Sequence, residues 1–306
     1  MYDIVIVGAG PAGLCAALYA RRAEKSVLLI EKSTFGGQIT HSPRVENYPG
    51  FIAMSGNELA DKLLDQVMTH GAEIELAEVK KIEKLDTGYL VITDNSSFET
   101  KTVIIATGSR HRPLGIDREE EFVGEGVSYC AVCDGAFYKN KTVAIIGGGN
   151  TALQEAVLLS DGCKRVYVVQ NLAYFTGEES LLRILETRGN VELVTSSVAT
   201  EIVGDDKIEG LKIINVDSGA ERELSLDGIF VAIGQIPENE PFSDVVLLDE
   251  RGYVSAGEDC LPKTEHAGIF VAGDCRTKSV RQVTTATADG AVAALAACRY
   301  IDSQKA

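Results

Sequence analysis

The chain has 306 residues, 45% of them hydrophobic and 24% charged, with a net charge of -16 at pH 7. This is the balance of a globular protein with room for two ordinary domains. No apolar run approaches the ~18 residues of a membrane span, and the acidic balance excludes a nucleic-acid backbone or an anionic membrane surface as partner.

In chain order, Asp3 to Val7 reads as a buried strand, Gly8-Ala-Gly10-Pro-Ala-Gly13 as a tight turn, and Leu14 to Arg22 as a helix rich in small residues. Ser26 to Ile30 reads as a second parallel strand ending at Glu31. Together these make a complete dinucleotide-binding unit. Gly8 permits the sharp turn, Gly10 lets backbone approach a pyrophosphate, and Gly13 lets helix and strand pack closely. The helix N-terminus offers free N–H groups to phosphate, and Glu31 can accept from ribose hydroxyls. Asp3 stands where a signal peptide would be basic, so a cytoplasmic location is expected.

Next comes a short apolar strand running into glycine, Val103 to Gly108, and then Cys130-Ala-Val-Cys133-Asp134. A second fingerprint unit follows: strand Thr142 to Ile146, turn Gly147-Gly-Gly149-Asn-Thr-Ala152, helix Thr151 to Ser160, and strand Arg165 to Val169 ending at Gln170. Two more apolar strands run into glycine at Ile229 to Gly234 and Ile269 to Asp274. The expected class is α/β, with two Rossmann-like three-layer domains, the second inserted in the first. The bounds read from the sequence are 1–116 and 247–306 for the first domain and 117–246 for the insert. Charge is uneven: residues 117 to 245 hold 10 Lys+Arg against 23 Asp+Glu.

Cys130 and Cys133 have redox spacing, and such a pair closes a small disulfide within one helical turn. Zinc sites share the spacing but need two more ligands; the four histidines are isolated and no second CxxC exists, so no metal is expected. Asp134 is placed to take up and return the proton that dithiol exchange requires; its structural alternative is a helix N-cap. Cys15, Cys163, Cys260, Cys275 and Cys298 read as small buried thiols.

A dithiol framed by two nucleotide fingerprints points to electrons moving from a nucleotide, through a flavin, to a disulfide. The sequence resembles the low-molecular-weight thioredoxin reductases over essentially its whole length. The resemblance is carried by GAGPAG near residue 8, GGQ at Gly36 to Gln38, ENYPG at Glu46 to Gly50, ATG at Ala106 to Gly108, SYCAVCDG at Ser128 to Gly135, GGGNTA at Gly147 to Ala152, and GDCRTKSVRQV at Gly273 to Val283. It implies an FAD domain split in sequence by an insert carrying the dithiol. It implies FAD contacts at Gly8, Gly10, Ala12, Gly13, Glu31, Gly37, Gln38, Asn47, Asp274, Arg281, Gln282 and Val283. It also implies a homodimer, thioredoxin or a similar protein as substrate, attack by Cys130 with Cys133 facing the flavin, and rotation of the insert between catalytic steps.

The chain departs from that family in one stretch. NADPH-dependent members carry His-Arg-Arg after the strand that ends here at Val169, with a further Arg four positions after the second, and these cations clamp the 2′-phosphate. Here residues 170 to 176 read Gln-Asn-Leu-Ala-Tyr-Phe-Thr, without a cation. Each charge-assisted contact to a phosphate contributes about 1.5–3 kcal/mol, so losing three weakens NADPH binding by orders of magnitude. NADH normally calls for Asp or Glu where Gln170 stands, although Gln170 is able to accept from a ribose hydroxyl. The second fingerprint is then a structural relic or an atypical nicotinamide site. By resemblance, ferredoxin or a deazaflavin becomes the expected donor. An acidic ferredoxin is expected to dock away from the insert, near Arg21, Arg22 and Lys25, or alternatively near Arg110 and Arg112. The competing functions are an NAD(P)H-dependent reductase with an atypical cofactor site, a small-molecule dithiol oxidase passing electrons to O2, and a non-catalytic flavin sensor.

Overall fold

The computed structural model describes residues 1–42 and 44–304. The chain divides into two compact units, 1–110 with 236–306, and 111–235.

The first unit is built on β1 (Tyr2–Val7), α1 (Pro11–Arg22), β2 (Val27–Glu31), α2 (Gly56–Thr69), β3 (Glu73–Leu76), β4 (Val79–Lys84), β5 (Tyr89–Thr93) and β6 (Ser97–Ile105). The sheet order is β3-β2-β1-β6-β5-β4. β6 is shared along its length. Ser97 to Thr100 pair antiparallel with β5, while Val103 to Ile105 pair parallel with the strand Ile269–Val271. β1 and β2 are near-continuous Val/Ile/Leu runs because both sheet faces are covered. Ile4, Ile6, Leu29, Ile104 and Phe270 bury on one face, and Val5, Val7, Leu28, Ile30, Val103, Ile105 and Val271 on the other.

α2 starts at a reciprocal cap in which Ser55 Oγ accepts from Glu58 N (3.1 Å) and Glu58 Oε2 from Ser55 N (2.8 Å). The last helix of the unit, Val283–Ser303, crosses α1 through alanines. Ala286, Ala293, Ala294 and Ala297 share a core with Ala12, Ala16, Ala17 and Ala20. At the closest approach a Cβ on Gly290 would overlap the carbonyl oxygen of Ala12. The segment 236–246, expected with the insert, clusters with the first unit: Phe242, Val245 and Val246 bury against Val79, Ile82 and Tyr89.

The second unit contains α3 (Ala131–Asp134), α4 (Asn150–Gly162) and α5 (Glu179–Glu186). Its parallel sheet runs, in spatial order, Val191–Val194, Arg165–Val169, Thr142–Ile146, Gly228–Val231 and Val127–Ser128. A separate antiparallel sheet joins Ser197–Val203, Gly210–Asn215 and Glu221–Ser225. The fold is α/β in both units. Among the described residues no helix is long and apolar enough to cross a membrane, and no cluster of His, Cys, Asp or Glu is arranged to hold a metal ion.

Candidate active site

In the first unit, β1 feeds a glycine turn directly into α1. Gly8 has φ of 102°, a left-handed value that a side chain would resist, and a Cβ there would strike the Ala106 carbonyl. Gly10 is extended at the N-cap of α1, with nothing within 4 Å of where a Cβ would stand. The space over the helix N-terminus is therefore open to a phosphate. Glu31, buried at the end of β2, accepts from Ala9 N (2.8 Å) and Ser33 N (3.0 Å). Gly36 N donates to Ala9 O (2.8 Å), and a Cβ on Gly37 would stand 3.3 Å from Gly10 Cα, so the Gly37–His41 turn that carries Gln38 borders the same cradle.

The C-terminal stretch closes on these residues. Gly273 lies beside Ala12. Asp274 is half-buried; its buried Oδ1 stands 3.9 Å from Lys278 Nζ without a hydrogen-bond partner, and burial pushes its carboxyl up to about 6. Arg281 donates to the Asp274 carbonyl (3.4 Å) and lies over the Tyr253 ring (4.2 Å). Gln282 caps the helix that begins at Val283, and its Oε1 accepts from Asn47 Nδ2 (3.2 Å). Beneath this stretch is a buried ionic network that sequence reasoning missed. Asp289 accepts from Arg276 Nε (2.9 Å), Arg276 Nη2 (2.9 Å), Lys278 Nζ (2.9 Å) and Gly273 N (3.0 Å). The Arg276 side chain is 1% exposed and that of Lys278 5%.

In the second unit, Cys130 and Cys133 form a disulfide with their Cα atoms 5.3 Å apart. The strand Val127–Ser128 delivers Cys130 to the N-cap of α3, and Asp134 N donates to Cys130 O (3.0 Å), closing the turn that holds both sulfurs. Ser128 Oγ, which the sequence did not single out, accepts from Cys130 N (3.1 Å) and donates to Asp134 Oδ2 (2.6 Å). Asp134 makes no side-chain cap to the turn after it. Its Oδ1 is buried without a partner, and burial raises its pKa. A half-buried carboxyl with a raised pKa and a free oxygen, one residue from Cys133, has the properties of a proton carrier.

A model of the pyridine nucleotide-disulphide oxidoreductase family matches residues 2–290. The chain belongs to that family. It is 38% identical over 306 residues to a thioredoxin reductase of Listeria monocytogenes, covering 100% of this chain and 95% of the relative. It is 39% identical over 300 residues to a 34.2 kDa protein in the rubredoxin operon of Clostridium pasteurianum, covering 98% and 97%. The crystal structure of thioredoxin reductase from Streptococcus pyogenes superposes with a TM-score of 0.93 at 38% identity, covering 99% of each chain. The chain is thus an FAD-dependent disulfide oxidoreductase of the low-molecular-weight thioredoxin reductase type.

The residues of the first unit fit FAD. Open space stands over Gly10, the Glu31 carboxylate is fixed beside the turn, and the orphaned Asp274 Oδ1 lacks the hydroxyl donor that a ribityl chain carries.

The second glycine turn is differently furnished. Gln170 is buried and folded inward: its side chain packs on Gly148, its Nε2 donates to Tyr174 O (3.3 Å), and its Oε1 accepts from Asn171 N (3.0 Å). The carboxamide is thus held against the turn by its own segment. Thr176 N and Gly177 N both donate to Gly148 O (2.8 and 3.0 Å), and Asn150 Oδ1 accepts from Glu178 N (2.7 Å). The segment after Gln170 is therefore laid across the turn and the start of α4, bringing Leu172 and Tyr174 to the surface and no cation.

Of the cations expected to dock ferredoxin, Arg21, Lys25 and Arg110 have partners, and Arg22 and Arg112 are exposed. Arg21 donates to His70 O (2.9 Å) and Lys25 O (2.6 Å), and buried Lys25 pairs with Asp302. Arg110 pairs with Glu238 (3.2 Å). Of the α1 group only Arg22 keeps an exposed position.

Proposed function

We propose that this protein reduces the disulfide of thioredoxin or a thioredoxin-like protein through Cys130 and Cys133, using FAD held in the first unit and a donor other than NADPH. The observation that carries the reading is the Cys130–Cys133 disulfide, closed within one turn beside a half-buried carboxyl whose pKa is raised. FAD, when bound, supplies a two-electron relay between donor and disulfide. Gly8, Gly10, Ala12 and Gly13 would admit its pyrophosphate, and Glu31 its adenosine ribose. Asp274 would hold the ribityl hydroxyls, while Gly37, Gln38, Asn47, Arg281, Gln282 and Val283 would line the rest.

Two electrons and two protons open the disulfide to a dithiol. Cys130 then attacks the partner disulfide as a thiolate and forms a mixed disulfide. Cys133 displaces the second partner sulfur, which restores the intramolecular bond and releases the partner as a dithiol. Asp134 takes and returns a proton at these sulfurs.

The cation-free segment 170–176 and the inward Gln170 support ferredoxin or a deazaflavin as donor over NADPH. Five cysteines without a disulfide, four of them buried, support a reducing cytoplasmic setting. A homodimer is proposed from the family resemblance.

The test is to mix the yellow protein anaerobically with NADPH, NADH, reduced ferredoxin or reduced deazaflavin and follow the flavin absorbance. Bleaching by ferredoxin or deazaflavin and not by micromolar NADPH is expected. Rapid bleaching by NADPH would overturn the donor assignment. Steady peroxide formation with a small dithiol would replace the reductase reading with that of an oxidase.

A further inference from the structure

Ser128 ends the strand Val127–Ser128 just ahead of the first redox sulfur, and it is 4% exposed. Its hydroxyl clasps both ends of the dithiol turn. Oγ accepts from Cys130 N (3.1 Å) at the start and donates to Asp134 Oδ2 (2.6 Å) at the end. Within the turn, Cys133 N and Asp134 N both donate to Cys130 O (3.2 and 3.0 Å). Tyr129, between Ser128 and Cys130, donates its hydroxyl to buried Glu119 (2.8 Å), which also accepts from Leu114 N and Gly115 N (2.9 Å each). The chain entering the turn is therefore fixed independently of the sulfur–sulfur bond.

We infer that Ser128 is a positioning residue of the dithiol centre: it holds the Cys130 backbone and the Asp134 carboxyl in one arrangement whether the disulfide is closed or open, and it reserves Asp134 Oδ1 for the travelling proton. The inference rests on the disulfide-reductase reading and deepens it. In the oxidised pair the S–S bond restrains the turn by itself. Once two electrons and two protons have opened it, the clasp is what keeps the two thiols within closing reach. Ordering even one residue of a loosened turn opposes closure by about tenfold. Asp134 Oδ2 is occupied by the Ser128 hydroxyl hydrogen, whereas Oδ1 is buried without a partner. A proton on Oδ1 leaves the clasp intact. A proton on Oδ2 would turn the hydroxyl toward Cys130 O, 3.4 Å away.

The turn Gly135–Tyr138 and α4 pack against α3. The turn brings Tyr138, whose hydroxyl is raised to about 12 by burial and then by Asp134. From α4 come Glu155, raised to about 7 by burial, and Asp161, paired with Arg188 (2.6 Å). Asp134 itself is raised by burial and pulled back by the Ser128 hydroxyl.

The test uses the holoprotein and Ser128→Ala, with Ser128→Thr as the variant that keeps a hydroxyl. Closure is read as the disulfide fraction in glutathione redox buffers. The Asp134 inflection is read from the pH profile of attack on a small aromatic disulfide, and its loss in Asp134→Asn assigns it. Ser128→Ala should lower the closure constant about tenfold. It should also move the inflection to higher pH, because the carboxylate loses a donor while its burial remains. Ser128→Thr should restore both. A changed closure constant beside an unmoved inflection is a structural contact alone and overturns the inference, as do wild-type values in Ser128→Ala. Should the variants fold poorly, amide exchange of the wild type decides the matter. Cys130 N–H must stay protected after dithiothreitol opens the pair, and free exchange overturns the inference. These failures leave the reductase reading standing, whereas a pair that dithiothreitol never opens would overturn both.

Discussion

Asp289→Asn tests the buried network under the flavin cradle. Asp289 accepts four hydrogen bonds, three of them from Arg276 and Lys278, whose side chains are 1% and 5% exposed. Breaking a buried pair from one side strands the remaining charge, and such losses run to about 3–5 kcal/mol. In a unit of this size each kcal/mol moves Tm by about 2–4 °C, so a fall of roughly 10 °C is expected. The control is Glu179→Gln. Its partner Arg183 is 71% exposed and Glu179 itself 78%, so the change should stay within about 0.5 kcal/mol. Urea unfolding at fixed FAD is the assay, because bound cofactor adds its own stabilisation.

The pH dependence fixes the sign. The Asp289 carboxyl lies below its ordinary value because Arg276 and then Lys278 hold its charged form against the cost of burial. Its contribution is present above the unfolded value of about 4 and is lost as pH falls through the lower folded value. The gap between wild type and Asp289→Asn should therefore narrow in acid. Equal losses for Asp289→Asn and Glu179→Gln, or a gap that widens in acid, would refute the reasoning.

Three further outcomes follow from the same geometry. Asp274→Asn should stabilise the FAD-free protein above pH 6 and weaken FAD binding. Its carboxyl is raised to about 6 by burial, so the folded state is favoured below about 4 and loses that advantage as pH rises through 6; unfolding curves and flavin fluorescence check the two halves. Converting Asn171, Leu172 and Thr176 together to arginine should strengthen NADPH binding about a hundredfold by titration calorimetry, since two or three phosphate contacts at 1.5–3 kcal/mol each suffice. Gly290→Ala should cost about 1–3 kcal/mol in urea unfolding, because its Cβ would overlap the Ala12 carbonyl where the two helices cross.

Much of this organisation is legible in the sequence because it is local. The strand, glycine turn and helix of β1 and α1 stand side by side in the chain, as do Thr142–Ile146 and α4. The Cys130–Cys133 spacing is itself the turn. What escaped reading depends on partners far apart in sequence. Asp289 meets Arg276 across 13 residues. The apolar residues Phe242, Val245 and Val246 carry no signal in the sequence of which core they join. Gln170 shows the opposite limit. Its type permits a ribose contact, but its direction, set by Tyr174 O and Asn171 N, points inward. Arg21 and Lys25 likewise reach inward, to the His70 and Lys25 carbonyls and to Asp302, while Arg22 stays exposed.

The central claim is that two vicinal sulfurs share reducing equivalents with a flavin bound to the same chain. An anaerobic dithionite titration of the yellow protein reads this directly. The account predicts that wild type takes up two electron pairs per chain, one for FAD and one for the Cys130–Cys133 disulfide, while Cys133→Ser takes up one and no longer turns over thioredoxin. Equal uptake by the two proteins, or undiminished thioredoxin reduction by Cys133→Ser, would contradict it.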